Sequence, residues 1–306
     1  MKEGISIITI NYNTVEDTMA FLAAIENTIY DGLPDLEVIV VDNDSSEDPA
    51  CITASYPWVK LVRSEVNLGF AGGNNLGIAH SSKEFILMVN NDTLPDMKEV
   101  SNLLITYQAY PEYTMLCPLI MNEDSSIQYA GYSPINTLTG RNRLINQIDH
   151  KELIIDTCYP HGAAMLISRK NLEKVGMMAE NYFLYYEETD WGERMKQMGL
   201  KIGVCTLSKI THKTSASVSR VSDCKLYFTT RNRILFARKH FPAINQFLFV
   251  LFFLFVSTPK HMLRFIWNGD KNSIQTYFQA IKWHFQNSVE STVLGFKFDA
   301  LQNAKG

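Results

Sequence analysis

The chain has 306 residues, 46% hydrophobic and 20% charged, with a formal net charge of -4; that is enough for one large domain, or a domain with an extension, around a substantial core. The slight acidic balance excludes the strong basic surplus of a nucleic-acid-binding protein. Five scattered cysteines, Cys51, Cys117, Cys158, Cys205 and Cys224, form no C-x-x-C pair, which excludes a disulfide framework or zinc knot and fits reduced thiols in a cytosolic protein.

Residues 5–10 form an apolar run too short for the core of a secretory signal, and their Ile and Thr content between Gly4 and Asn11 predicts a first strand. Apolar residues at Val15, Met19, Leu22, Ala23, Ile25 and Ile29 have helical spacing, so a helix is expected over 15–30 with Thr14 as its N-cap. Residues 36–41 are almost continuously apolar, the pattern of a strand covered on both faces. This run ends in Asp42, Asn43, Asp44, Ser45 and Ser46, which places acids and hydroxyls at a strand's carboxyl end.

A third strand is expected at 59–63. The stretch Asn67-Leu68-Gly69-Phe70-Ala71-Gly72-Gly73-Asn74-Asn75 then opens a helix running to about residue 81. Glycines there would let backbone N–H groups approach an anion, or would serve close helix packing. Residues 85–89 are a further apolar strand that breaks off into Asn90, Asn91 and Asp92, with Pro95 behind them. An acid delivered at the carboxyl edge of an α/β sheet suits a divalent cation carrying a phosphate-bearing ligand. The same residues also make ordinary strand-to-helix turns.

A helix follows over 97–110, then strands over 115–121 and 127–130. Residues 132–157, with Arg141, Arg143 and Lys151, form a polar excursion of the length used for lids and binding segments. A strand beginning with Gly162 and Ala163 leaves room for a bulky ligand. Aromatics at 182–186 give way to Glu187, Glu188 and Asp190 at the start of a helix ending near Gly199. Acids in a first turn favour the dipole, and Asp190 with Arg194 is an i, i+4 pair, so a well-capped surface helix is one reading. After a strand at 202–205 comes the solitary His212.

From about 223 the chain is expected to be helical. Lys225, Arg231, Arg233, Arg238 and Lys239 precede an apolar run at 247–256, and Pro259, Lys260, His261 and Arg264 follow it. Spanning a bilayer takes roughly 20 apolar residues. This run is shorter, so a basic-flanked, aromatic helix over 241–264 is expected to lie in a membrane interface, with a core or dimer helix as the alternative.

The alternation of strands and helices predicts an α/β fold with a mainly parallel sheet flanked by helices over residues 1–220, followed by a helical extension over 221–306. In order, Asn11-Tyr12-Asn13, Val40-Val41-Asp42-Asn43, the 67–75 stretch, Asn90-Asn91-Asp92, Gly162-Ala163, Glu187-Glu188-Thr189-Asp190 and His212 resemble the family 2 glycosyltransferases, in particular their rhamnosyltransferase-like members. The resemblance implies a GT-A fold and an inverting transfer from a UDP- or dTDP-sugar donor to a lipid-linked or polysaccharide acceptor at the cytoplasmic membrane face. It implies donor contacts from Asn11, Tyr12, Asn13, Asp42, Asn67, Gly72, Asn75, Asn90 and Asn91. Asp92 and His212 would hold Mn²⁺ or Mg²⁺, and Gly162, Ala163 and Trp191 would meet the acceptor.

Two positions depart from the family's pattern. Its D-x-D motif begins here with Asn90, leaving the charge to Asp92 alone. Its E-D-x-D motif reads Glu187-Glu188-Thr189-Asp190, which makes Glu188 the base with Asp190 as the alternative. Trp191 could stack on a sugar or lie in the core. A scaffold of the same fold without catalysis is disfavoured by the acids at Asp92 and Glu188. A sugar nucleotidyltransferase would need a basic glycine-rich loop where Asn11-Tyr12-Asn13-Thr14 stands.

Overall fold

The structure, a computed structural model, describes residues 2–28, 35–148, 152–213 and 222–298. The chain forms two compact units. The first contains residues 1–134, 142–179 and 187–215, and the second contains 135–141, 180–186 and 216–306. The expected boundary after residue 220 lies outside the described residues. The sequence carried no signal that 135–141 and 180–186 join the second unit.

In the first unit, β1 (Lys2–Asn11), β2 (Leu36–Asn43), β3 (Lys60–Ser64) and β4 (Lys83–Val89) pair in parallel in the order β4-β1-β2-β3. Helices α1 (Val15–Asn27), α2 (Ala50–Ser55) and α3 (Gly69–His80) connect them. Ile5, Ile7, Ile8, Ile39, Val40 and Val41 are fully buried, which is why these strands read as unbroken apolar runs. The stretch 69–75 is the start of α3 and not a loop. A Cβ at Gly77 would lie 2.3 Å from Ile8 Cγ2 and one at Gly73 2.8 Å from Ile10 Cδ1, so those glycines let the helix lie close on β1. Thr14, expected to cap α1, makes no side-chain cap bond; its hydroxyl instead accepts from Asn91 Nδ2 at 2.8 Å. Of the helix expected to residue 30, the last part falls outside the described residues.

Beyond β4 come β5 (Thr93–Leu94), α4 (Met97–Ala109), capped by Asp96, and β6 (Tyr113–Met121). The expected excursion 132–157 carries short strands: after β7 (Ile127–Tyr129), β8 (Gly131–Tyr132) pairs with β9 (Leu144–Ile145), and β10 (Ile154–Thr157) pairs with the last strand. Next are β11 (Ala164–Ser168), α5 (Arg169–Val175), α6 (Glu187–Gln197) and β12 (Lys201–His212). Strand β12 runs well past the expected 202–205. β11 inserts antiparallel between β4 and β6, giving the order β10-β12-β6-β11-β4-β1-β2-β3.

The second unit is helical: α7 (Ser222–His240), α8 (Ala243–Phe252), a π-helical turn at Phe253–Ser257, α9 (Thr258–Trp267) and α10 (Lys271–Gln286). Its core gathers Phe183, Cys224, Tyr227, Phe228 and Ala280. Phe183, Tyr185 and Tyr186 all have positive φ, from 65 to 75°, a costly backbone region for aromatic residues. Asn232 Nδ2 holds this turn by donating to the carbonyls of Tyr182, Leu184 and Tyr185 at 2.8, 2.8 and 2.7 Å.

Candidate active site

The carboxyl ends of β1, β2 and β4 bring the expected polar residues to one sheet edge. Register pairs Asn11 with Asp42, and both are fully buried. Asn11 Nδ2 donates to Asp42 Oδ1 at 2.9 Å and to Ser45 Oγ at 3.1 Å. Asp42 Oδ2 accepts no hydrogen bond and faces Arg63 Nε at 3.3 Å. Asn13, at φ 54°, uses its side-chain oxygen to accept from Ser46 N and Oγ, while Tyr12 beside it is 40% exposed. The result is a buried carboxylate whose second oxygen faces Arg63, with an aromatic ring at its rim.

After β4 the chain turns sharply. Asn90 N donates to Ala163 O at 3.0 Å, and Thr93 Oγ1 returns to Asn90 O at 2.7 Å. The turn aims Asp92 at the end of β12, where Lys213 N donates to Asp92 O. Asp92 Oδ1 is buried, accepts no hydrogen bond and stands 3.1 Å from His212 Nε2. His212 Nδ1 lies 2.9 Å from Gln128 Oε1. Gln128 thus holds the imidazole from its outer side while Nε2 faces the Asp92 carboxylate. A carboxylate beside an imidazole nitrogen, the imidazole steadied by an outer hydrogen bond, is a donor set that fits a divalent cation. Among the described residues no group of three or more His, Cys, Asp and Glu side chains converges.

One wall of the site was not singled out in the sequence. His161 lies parallel to Tyr132, with ring centroids 6.0 Å apart, and its ring is 4.8 Å from Tyr129 and 6.4 Å from His212. Burial first, then the neighbouring His212, lowers its pKa to about 4, so it is a neutral imidazole at neutral pH. Its position directly before Gly162-Ala163 was the available signal. Tyr132 also links this wall to α6: its hydroxyl is pushed above the ordinary range by burial and then by the charge of Glu188. Burial in turn raises the Glu188 carboxyl above its ordinary value.

Other expected site residues serve the scaffold. Trp191 is fully buried, and its indole N–H donates to Gly176 O at 2.9 Å; it is a core residue and has no face to offer an acceptor. Asp190 is fully buried and paired at 3.0 Å with Arg194, which also ties down Val175 O and Met177 O. Asn75 exchanges two hydrogen bonds with the Met178 backbone. Asn91 donates to the hydroxyls of Thr14 and Thr18, both at 2.8 Å. Asn67 accepts from Gly69 N and Asn43 Nδ2, and Gly72 is buried inside α3. Gly162 meets Phe70, and Ala163 is buried.

A family model described as glycosyl transferase family 2 matches residues 6–176. The chain is 28% identical over 241 residues to the low-salt glycan biosynthesis hexosyltransferase Agl10 of Haloferax volcanii, covering 77% of this chain and 76% of that one. It is 21% identical to the N-acetylglucosaminyl-diphospho-decaprenol L-rhamnosyltransferase of Mycobacterium tuberculosis, covering 71% and 78%. Among solved structures, GalNAc-T7 with UDP, GalNAc and Mn²⁺ superimposes with a TM-score of 0.60 at 13% identity, covering 76% of this chain and 51% of that one. The fold is GT-A.

Proposed function

The chain belongs to glycosyl transferase family 2 and is a glycosyltransferase of glycan or polysaccharide biosynthesis, and from that premise we propose an inverting transfer from a UDP- or dTDP-sugar to a lipid-linked or polysaccharide acceptor. The observation that carries this reading is the opposed pair of Asp92 Oδ1 and His212 Nε2, 3.1 Å apart and steadied by Gln128. When bound there, Mn²⁺ or Mg²⁺ would neutralise charge on the donor's diphosphate, whose oxygens complete the ligand set. Asp42 Oδ2 is an acceptor suited to the imide N–H of uracil or thymine, and Tyr12 offers a ring for the base to lie against.

Glu188 is the base. It removes the proton from an acceptor hydroxyl, whose oxygen attacks the anomeric carbon from the face opposite the nucleotide diphosphate. The new C–O bond forms as the bond to the diphosphate breaks, and the configuration inverts. A carboxyl raised above its usual range is better matched to this task at neutral pH. Asp190, already ion-paired, holds the first turn of α6 in place.

The continuous helical stretch Ala243–Trp267 is long and apolar enough to cross a membrane, and little of it is buried. With Phe247, Leu254, Phe255 and Trp267 exposed and Lys260 and Arg264 beside them, it supports peripheral contact through 241–264 at the cytoplasmic face of the membrane. The test is a thermal-shift panel of UDP-, dTDP- and GDP-sugars with and without Mn²⁺. A UDP- or dTDP-sugar should raise the melting temperature only when Mn²⁺ is present, and Asp92→Ala should remove the shift. Stabilisation by GDP-sugars alone, or by none of the donors, would overturn the reading.

A further inference from the structure

In the second unit Arg233 is 5% exposed, yet it pairs with no carboxylate among the described residues. Its Nε donates to Thr139 O at 2.6 Å and its Nη1 to Ser257 Oγ at 3.2 Å. The rings of Phe249 and Phe253 lie 5.7 and 5.4 Å from the guanidinium. A guanidinium has five N–H donors, so this leaves donors in hand, and a buried charge without a counter-charge is costly. Rings offset part of that cost and not all of it.

More basic side chains surround it. Ser257, Lys260, His261 and Arg264 are spaced i, i+3, i+4 and i+7, so they share the helix face that meets Arg233. From the other side comes the short turn 135–141. It is folded on Asn136, whose side-chain oxygen accepts from Leu138 N and Thr139 N, both at 3.0 Å. Gly140, at φ +64°, packs so closely that a Cβ there would lie 2.9 Å from Phe249 and 3.2 Å from Arg233. The turn therefore delivers the exposed Arg141 next to Arg233. Lys260, Arg264 and Arg141 likewise form no ion pair with a carboxylate among the described residues.

Electrostatics agree with the geometry. Burial and then Arg141 lower the Arg233 pKa to about 10. Burial, followed by Arg141, Arg233, Arg264 and Lys260, lowers that of His261. The same helical stretch presents Leu254, Phe255 and Leu263 to the outside.

We propose that Arg141, Arg233, Lys260 and Arg264 form a binding site for the phosphate or diphosphate group of an anionic amphiphile, with its apolar chain lying along α8 and α9. Uncompensated cations select the anion, and the apolar surface next to them selects a lipid-borne one. The inference deepens the acceptor side of the proposed function and rests on that reading only for the amphiphile being the acceptor.

The test uses the full chain without any donor, so its outcome does not depend on whether transfer occurs. Wild type and the triple variant Arg141→Ala/Lys260→Ala/Arg264→Ala, all at exposed positions, are floated with phosphatidylcholine vesicles carrying either geranylgeranyl diphosphate or phosphatidylserine at equal charge. Wild type should prefer the diphosphate vesicles, and the variant should bind them on the order of a hundredfold more weakly with the preference gone. Equal binding of wild type to the two vesicles, or undiminished binding by the variant, overturns the site. In a parallel calorimetric titration inorganic pyrophosphate should bind more weakly than the vesicle-held diphosphate; equal affinity overturns the amphiphile assignment and leaves a free anion as the ligand.

Discussion

Glu188 carries the sharpest consequence of a single side chain, because its raised carboxyl pKa has opposite effects on stability and activity. The unfolded chain gives up this proton at lower pH than the folded one, so across that window the folded state binds more protons and stability falls as pH rises. Glu188→Gln removes the penalty. At neutral pH it should melt above wild type while turnover drops by roughly 10²–10⁴-fold with donor binding kept. Near-normal turnover in the folded variant would transfer the base role elsewhere. In wild type, the acid limb of the pH–rate profile should lie above the ordinary carboxylate range, since the base works only when deprotonated. Residue order and the family resemblance put forward Asp42, Asp92, Glu188 and His212, and the structure places Asp92 beside His212 and Asp42 beside Asn11. Orientation was not legible: Trp191, Asn75 and Asn91 have the right types in the right motifs, yet their polar atoms are spent on Gly176, Met178 and Thr14. His161 escaped notice because nothing in one dimension shows that β8 carries Tyr132 across to its ring.

At the scale of elements, parallel strands and their helices were readable because burial on both faces writes continuous apolar runs. The glycines of α3 were readable as special but ambiguous in purpose, and contact with β1 resolves them. Gly77→Ala forces a methyl against Ile8 and should cost about 1–3 kcal/mol in chemical denaturation. A melting profile unchanged from wild type would show that helix and strand separate freely. The clamp on the aromatic turn had no sequence signature, since Asn232 acts 50 residues from Tyr182. Asn232→Asp keeps the shape, removes the donor and points a charge at three carbonyls. It should destabilise the protein by on the order of 3 kcal/mol. His284 adds a pH signature to α10. It lies between Arg238 Nη1 and Arg231 O, and burial, followed by Arg238, lowers its pKa to about 3. The unfolded chain takes up that proton near 6.5, so stability should fall as pH drops from about 6.5 toward 3. His284→Gln should flatten that limb, as followed by urea midpoints across the range.

For the whole molecule, the exposed face of Ala243–Trp267 carries the proposed membrane contact, which one substitution tests. Phe255 is 73% exposed, so Phe255→Asp should leave the melting temperature within about 1 °C of wild type, as surface changes usually do. It should also weaken flotation with anionic vesicles by about tenfold or more, through the lost burial of one aromatic ring. Unchanged flotation would sink the membrane reading. Composition made this face visible early, whereas the path of the chain between the two units was hidden, because seven-residue stretches leave no compositional boundary. That path orders events on the ribosome. The amide that must hold the carbonyls of Tyr182–Tyr186 lies up to 50 residues further along, so it leaves the exit tunnel roughly 3–10 s after them at ordinary elongation rates. The strands of the large sheet are nearly all available by then, but the turn leading into Glu187 and Glu188 waits for α7. A nascent chain emerged only as far as residue 221 would therefore hold every strand of the sheet but not the clamp on the turn that precedes Glu187 and Glu188, so that turn is finished late in synthesis.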